Sequence, residues 1–321
     1  MLKVMRAGQA GLEAAPDPIA DWRLPQDTIW IDLDRPTRSE ELLVEQELGV
    51  GLPTREEMAE IEPSSRLYQE DGATIMTATV LCGSQTTAPT NEPVTFVLAR
   101  ETLVTIRYAE PRALKIWLAQ AEKQGLVCES GRTVLMNLLD AFVDRLADVL
   151  EHTGQEVETL SQGVFERPRV RSFEALLTGL GLAQNVTAKA RESLVSQTRL
   201  IGFALLSTQV DSSSDAREHL KTLARDVQSL TDHSSYLSGN IQFLLDAALG
   251  LINIEQNGII KIFSVMAVVF MPPTLIASIY GMNFHHMPEL DKPWAYPIAL
   301  AAMVLSAVLP IWLFHRKGWL K

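Results

Sequence analysis

The stretch NIEQNGIIKIFSVMAVVFMPPTLIASIYGMNFHHMPELDKPWAYPIALAAMVLSAVLPIWLFHRKGWLK, residues 253–321, decides the fold. Two apolar blocks lie in it, Ile262 to Ile279 and Trp294 to Phe314, and neither contains a charged residue. Each matches the ~20 apolar residues that a helix needs to cross a ~30 Å hydrocarbon core. The other reading is a buried helix of a water-soluble protein. The second block has no polar face, and both blocks sit together at the end of the chain, which argues for membrane crossings.

Orientation follows from the flanks. His315, Arg316, Lys317 and Lys321 form a basic cluster after the second block, whereas the connecting loop carries Glu289, Asp291 and Lys292. Lysine and arginine stay on the cytoplasmic side of a crossing. The pattern predicts a multi-pass protein in contact with lipid, with both termini cytoplasmic and the loop outside. The N-terminus lacks a long apolar core, so no signal peptide is expected.

The first block carries a faintly polar stripe. Asn253, Asn257, Ser264, Met271 and Ser278 recur at steps of four and seven, with Ala267 and Thr274 between them. Such steps keep side chains on one helix face. Small and polar residues on a membrane helix suit close helix packing or a pore lining, and the spacing allows both. Two crossings cannot enclose a pore within one subunit, so a channel would need a ring of copies. Pro272-Pro273 removes two backbone donors mid-block. It either kinks the helix for packing or frees carbonyls toward a water-filled path.

Tyr280-Gly281-Met282-Asn283-Phe284 closes the first block, and Met287-Pro288-Glu289-Leu290 follows. This resembles the CorA magnesium transporter family, whose signature is YGMN followed by MPEL between two C-terminal crossings. The likeness is densest from Asn253 to Leu320, and NIEQNGIIKIFSVMAVVFMPPT is similar to the enterobacterial-type branch. The resemblance implies a funnel-shaped homopentamer in the bacterial inner membrane. In it, Gly281, Met282 and Asn283 would ring the outer mouth, with Asn283 as the selectivity residue. Asn257, Met271 and Thr274 match pore-lining positions, with Met271 in an apolar gate; Ser264, Ala267 and Ser278 join them by spacing. It implies passage of Mg2+, and often Co2+ and Ni2+, inward down the electrical gradient. No enzyme activity and no prosthetic group are implied.

Ion chemistry is consistent with that picture. Mg2+ sheds its water reluctantly and prefers oxygen ligands. Neutral amide oxygens accept hydrogen bonds from a hydrated ion without binding it too tightly to release. His285 and His286 depart from the commonest family pattern. Adjacent histidines suit zinc, nickel or cobalt, but such a pair is more often an exposed loop feature.

The resemblance also implies that cytoplasmic Mg2+ regulates the family as a ligand at acidic sites between subunits. Asp226, Asp232 and Asp246 on the long helix are the candidates, and Asp226 within Arg225-Asp226-Val227 resembles a family position. For each, an ordinary solvated helix face is the competing reading. Two other functions compete for the whole chain. One is a proton-coupled zinc transporter of the same superfamily, whose members usually depart from Gly-Met-Asn. The other is a cytoplasmic sensor anchored by a helical hairpin, with no flux.

Composition bounds the rest. The chain has 321 residues and a formal net charge of -11. No basic patch with interleaved aromatics precedes the membrane blocks, which argues against a nucleic-acid partner. Cys82 and Cys128 lack paired spacing and read as reduced, partly buried thiols. No glycine-rich phosphate loop follows a strand.

Read in order, residues 1 to about 27 are rich in Gly, Ala and Pro and are expected to be loosely held. Thr28 to Leu33 reads as a strand, Glu40 to Leu48 as a helix, and Pro53 to Ile61 as another. Ser65 to Glu70 and Ala73 to Cys82 flank Asp71-Gly72, a hairpin signal. Val94 to Ala99 and Thr102 to Arg107 form a second pair, and Ala113 to Gln124 an amphipathic helix. Beyond Gly131 only helices are expected: Thr133 to Phe165 punctuated by Pro168, Phe173 to Val210, a capping turn at Asp211 to Asp215, and Ala216 to Tyr280. Gly239, Gly250 and Gly258 lie where that last helix turns from polar to apolar and permit bending.

The expected fold is an α+β membrane protein. A cytoplasmic α/β domain spans 1–130 and a long-helix stalk 131–257. The stalk runs into the first transmembrane helix at 258–280. The GMN loop at 281–293, the second crossing at 294–314 and a basic tail at 315–321 follow.

Overall fold

The computed structural model describes residues 1–8, 11–14, 23–86, 88–124, 128–165, 173–210, 214–283, 285, 287–289 and 291–318. It falls into two compact units, Met1–Leu245 and Asp246–Lys321.

The first unit is built on a seven-stranded sheet. Its strands are β1 (Leu2–Gly8), β2 (Gly11–Ala14), β3 (Thr28–Asp34), β4 (Leu67–Glu70), β5 (Ala73–Cys82), β6 (Thr90–Ala99) and β7 (Thr102–Arg107). The spatial order is β2-β1-β3-β7-β6-β5-β4. Only the central β3–β7 pair is parallel. Three short helices, α1 (Arg38–Leu48), α2 (Arg55–Ala59) and α3 (Pro63–Arg66), separate β3 from β4. Then come α4 (Arg112–Gln124), α5 (Gly131–Phe165) and α6 (Phe173–Ala204).

Every described residue of β5 is buried, as expected of a strand covered on both faces. Ile31, Ile75, Val97 and Val104 share one core with Val44 of α1 and Met58 of α2. Elsewhere in the sheet, Phe96 meets Phe142 of α5 edge-on at 6.1 Å, and Trp30 meets Trp117 of α4 at 5.5 Å. Trp30 also donates through Nε1 to Thr105 Oγ1 at 3.0 Å, so the buried indole is satisfied.

Local chemistry sets the boundaries. Asp71 and Gly72 both take positive φ, 49° and 74°, the geometry of a two-residue hairpin turn. Thr37 with Glu40, and Thr54 with Glu57, form reciprocal capping boxes that start α1 and α2. These Thr-x-x-Glu signals place the α2 start at Arg55, not at Pro53 as the proline suggested.

Four expectations are corrected. Parts of the first 27 residues are ordered strands: β1 pairs antiparallel with β3 and buries Leu2 and Val4. Residues 9–10 and 15–22 lie outside the described set. The segment expected to be a strand from Ser65 instead completes a helical turn through Arg66, and extends only from Leu67. The strand expected from Val94 begins at Thr90, through Pro93. Proline usually ends a strand because it cannot donate. Here it lies opposite Thr79, whose N–H donates to Ser196 Oγ at 2.8 Å and whose carbonyl accepts from Ser193 Oγ at 2.9 Å. The α6 serines therefore leave Thr79 with no unmet bond across from the proline. Finally, α6 stops at Ala204, not Val210. The turns that follow dock Ser207 and Gln209 on Thr74, at 3.0 and 2.8 Å.

Gly131 opens α5 against the β6–β7 turn and donates to the Glu101 carbonyl at 2.7 Å. A Cβ there would lie 2.3 Å from the Leu103 nitrogen. Gly131→Ala is expected to force a backbone shift costing about 1–3 kcal/mol. A lowered thermal midpoint of the detergent-solubilised protein checks this; an unchanged midpoint would mean that the approach is looser.

The chain then enters α7, Ser214–Tyr280, 67 residues without a break. At 1.5 Å per residue it is about 100 Å long. It stays helical through Gly239, Gly250, Gly258 and both prolines. Residues 211–213 of the expected capping turn lie outside the described set, as does Pro168. The last helix is α8, Ala295–Arg316. Both α7 and α8 contain windows long and apolar enough to cross a membrane, and these windows are almost wholly exposed.

Candidate functional site

In the second unit, the predicted stripe lies on the surface of α7. Asn253, Asn257, Ser264, Ala267, Met271, Thr274 and Ser278 are all exposed. Ala267, Met271, Thr274 and Ser278 share one open groove with Phe270 and Leu275. The Thr274 hydroxyl donates to the Phe270 carbonyl at 2.7 Å. Its donor is therefore spent on its own helix, and the exposed oxygen can act only as an acceptor. Pro272 and Pro273 cannot donate to the carbonyls four residues before them, those of Val268 and Val269.

The helix ends at Tyr280. Gly281 N–H donates to Ala277 O at 2.9 Å and Met282 N–H to Ile279 O at 3.3 Å. A Cβ on Gly281 would sit 3.2 Å from the Ala277 carbonyl, so a side chain there crowds the closing turn. Asn283 follows immediately, outside the helix and exposed. Its amide is thus presented at the end of α7 by a turn that glycine keeps tight.

The loop returns through Pro288 and Glu289. Lys292 N–H donates to Glu289 O at 3.2 Å, and Lys292 Nζ lies 5.1 Å from the Trp294 ring centroid. That cation–π contact draws the ammonium toward the ring and leaves exposed Glu289 and Asp291 as carboxylates of the loop. At the far end of α8, Arg316 stacks over Trp312 at 5.4 Å. Aromatic rings beside basic groups at helix ends are the usual anchors at a membrane–water interface. His285 is exposed. Phe284, His286, Leu290 and Lys321 lie outside the described residues.

The three acidic candidates on α7 are separated. Asp226 is exposed on the α5 side of the helix: its charge is felt by Asp140 and Asp144 of α5. Burial, then neighbouring carboxylates, push Asp144 above the ordinary aspartate range. Burial likewise raises Asp140, with the charges of Asp144 and Asp226 adding to it, against the pull of His219 at 2.9 Å. Asp232 accepts from Gln228 Nε2 at 3.1 Å. Asp246 is exposed and belongs to the second unit. Among the described residues no group of three His, Cys, Asp or Glu could hold a metal ion. Sequence reading missed Asp140 and Asp144, which stand on a helix more than 80 positions earlier. Their spacing of four, continued by Asp148, was the available signal.

Both cysteines are buried free thiols. Burial, with a smaller contribution from Glu92, pushes Cys82 up to about 11. It is therefore an inert core residue at neutral pH.

Comparison with known proteins bears on this arrangement. Residues 25–316 match the family model described as CorA-like Mg2+ transporter protein. The chain is 37% identical over 294 residues to the "Magnesium transport protein CorA" of Yersinia pseudotuberculosis, covering 91% of this chain and 92% of that one. To the protein of the same name from Escherichia coli K12 it is 35% identical over 292 residues, with the same coverage. Its fold matches the solved CorA magnesium transporter of Methanocaldococcus jannaschii with a TM-score of 0.76 at 18% identity, over 99% of this chain and 98% of that one.

Proposed function

From the premise that this chain belongs to the CorA-like Mg2+ transporter family, we propose that it conducts magnesium inward through a pore shared by five copies. The observation that carries this is the exposed Asn283 amide at the end of a membrane-length α7 whose small and polar stripe faces away from its own chain. In a ring, five stripes would line the path and five Gly281-Met282-Asn283 turns its outer mouth. Asn257, Ser264, Ala267, Met271, Thr274 and Ser278 would follow along the path. Amide oxygens there accept hydrogen bonds from the ion's own water, so the ion enters without full dehydration. Co2+ and Ni2+ are expected to use the same passage. A divalent ion gains about 4.6 kcal/mol per ~100 mV of inward potential, twice the single-charge value, so no nucleotide hydrolysis is needed.

Regulation by cytoplasmic Mg2+ is proposed at the acidic face of α7. Asp226, Asp140 and Asp144 already repel one another, and a divalent ion offsets that repulsion in whichever arrangement brings carboxylates together. Asp232 and Asp246 are the further candidates. Asp226→Asn is expected to weaken inhibition of influx by internal Mg2+ severalfold; unaltered inhibition would remove Asp226 from the sensor. The transport proposal itself is tested by Mg2+ flux into proteoliposomes at an imposed voltage. Absent flux would instead favour a membrane-anchored protein without transport, and flux independent of the potential would overturn the voltage-driven mechanism.

A further inference from the structure

We propose that the first unit binds a phosphoryl group, free or carried on a nucleoside, in a cavity between the start of α4, the middle of α5 and the loop after β5. The cavity has a volume of about 200 Å³ and is lined by Ser84, Gln85, Thr86, Arg112 and Arg145 over an apolar floor that includes Phe142. It adjoins a wider cleft of about 630 Å³ that shares Ser84, Gln85, Thr86 and Arg145, and whose far side carries the carboxylates of Asp148 and Glu156.

The charge balance points to an anion. Burial disfavours the charge of Arg145, and the neighbouring charge of Arg112 adds to this, with Asp148 opposing. The nearest carboxylate to Arg145 is Asp148, 3.8 Å away and mostly exposed. Among the described residues no carboxylate pairs with Arg112. Two guanidiniums facing one cavity with so little compensation repel each other, and a doubly charged anion between them offsets this.

Donor supply is also in excess. Arg145 Nη2 bonds Ser84 Oγ at 3.1 Å, yet its Nε is buried without an acceptor. A guanidinium has five donors, and two of them here reach an acceptor closely or loosely. The first bond of the α4 ladder runs from Lys115 N–H to Pro111 O. The N–H groups of Arg112, Ala113 and Leu114 therefore lie outside the ladder, at the positive end of the helix. Arg112 and Ala113 both line the cavity. Hydroxyls of Ser84 and Thr86, two guanidiniums and a helix start together suit the several acceptor oxygens of a phosphate better than a single carboxylate. The glycine-rich phosphate loop that the sequence lacks is replaced by arginines from two helices. The apolar floor and the adjoining cleft leave room for a nucleoside.

The test uses the full-length protein in detergent, in Mg2+-free buffer at constant ionic strength, with calorimetric titration of inorganic phosphate, AMP and chloride. Phosphate is expected to bind where chloride does not. Arg112→Gln, at an exposed helix position, is expected to weaken binding by about tenfold or more through loss of charge-assisted contacts. Arg225→Gln on α7 should change nothing. AMP binding more tightly than phosphate would assign the cleft to a nucleoside; equal affinities would assign the phosphoryl group alone. Arg145→Gln should abolish binding, and if it fails to fold, Arg112→Gln decides. Neither phosphate nor AMP binding beyond chloride, or full binding by Arg112→Gln, would overturn the proposal.

Discussion

Asn283→Ala is expected to reduce voltage-driven Mg2+ flux in proteoliposomes to near background while the protein still assembles. The side chain touches nothing that the fold needs: it is exposed, beyond the last turn of α7. Its removal should therefore leave the thermal midpoint and oligomer size unchanged. What it deletes is the amide oxygen proposed to meet the hydrated ion. Without it a methyl group would face the ion's water, and each water donor left without an acceptor costs about 1–3 kcal/mol. Multiplied around a ring, that loss exceeds what a modest voltage supplies. Asn283→Asp separates this from a general loss of loop structure. It restores the shape but adds a full charge to every copy, and should slow flux by holding the ion rather than refusing it. Undiminished flux through an assembled Asn283→Ala protein would sink the role given to this residue.

The second large effect is on stability. Asp32→Ala is expected to destabilise the first unit by about 3 kcal/mol, because it removes the bidentate partner of a buried cation and leaves Arg107 only the more exposed Asp34. Asp32 and Arg107 lie on the parallel pair β3 and β7 at the centre of the sheet. Arg107 donates from Nε and Nη2 to the two Asp32 oxygens at 3.1 and 2.9 Å, and both side chains are at most 5% exposed. Thr105 donates to Asp32 Oδ1 at 2.8 Å, and Trp30 donates to Thr105. The remaining Arg107 contacts are Asp34, at 3.2 Å, and the Ala109 carbonyl, at 3.0 Å. One carboxylate thus anchors Thr105 and Arg107 directly and Trp30 through Thr105. Denaturation followed through the buried Trp30 measures the loss. Replacing both partners, Asp32→Leu with Arg107→Met, should recover most of it, since no buried guanidinium is then left and Asp34, which loses its Arg107 contact, is partly exposed to water. If the double variant were no better than Asp32→Ala, the damage would come from packing rather than from the orphaned guanidinium.

Both effects were unequally visible in the chain itself. The Asn283 assignment came from resemblance, carried by a contiguous stretch: Tyr280-Gly281-Met282-Asn283 and Met287-Pro288-Glu289-Leu290 between two membrane-length blocks. The Asp32–Arg107 pair could not be read, because the two residues stand 75 positions apart. The Thr28 to Leu33 and Thr102 to Arg107 strands were recognisable singly, but nothing in either says that they pair in parallel. The same holds for Asp226. Its helix was legible, whereas its neighbours Asp140 and Asp144 were not. Pro93 shows the converse error. A local rule ended the strand there, and two serines from a distant helix allow the strand to continue.

What the sequence by itself determined is whatever one helix or turn decides alone. That covers the two crossings, the unbroken α7, the capping boxes that could have been read at Thr37 and Thr54, and the residue offered at the loop. Each depends on apolar periodicity or on hydrogen bonds between near neighbours. The tertiary structure decided the strand order, the ordered first strand and the charges that face each other across α4, α5 and α7. These depend on contacts closed over long loops, whose free energy comes from the shared burial of residues that no short window contains.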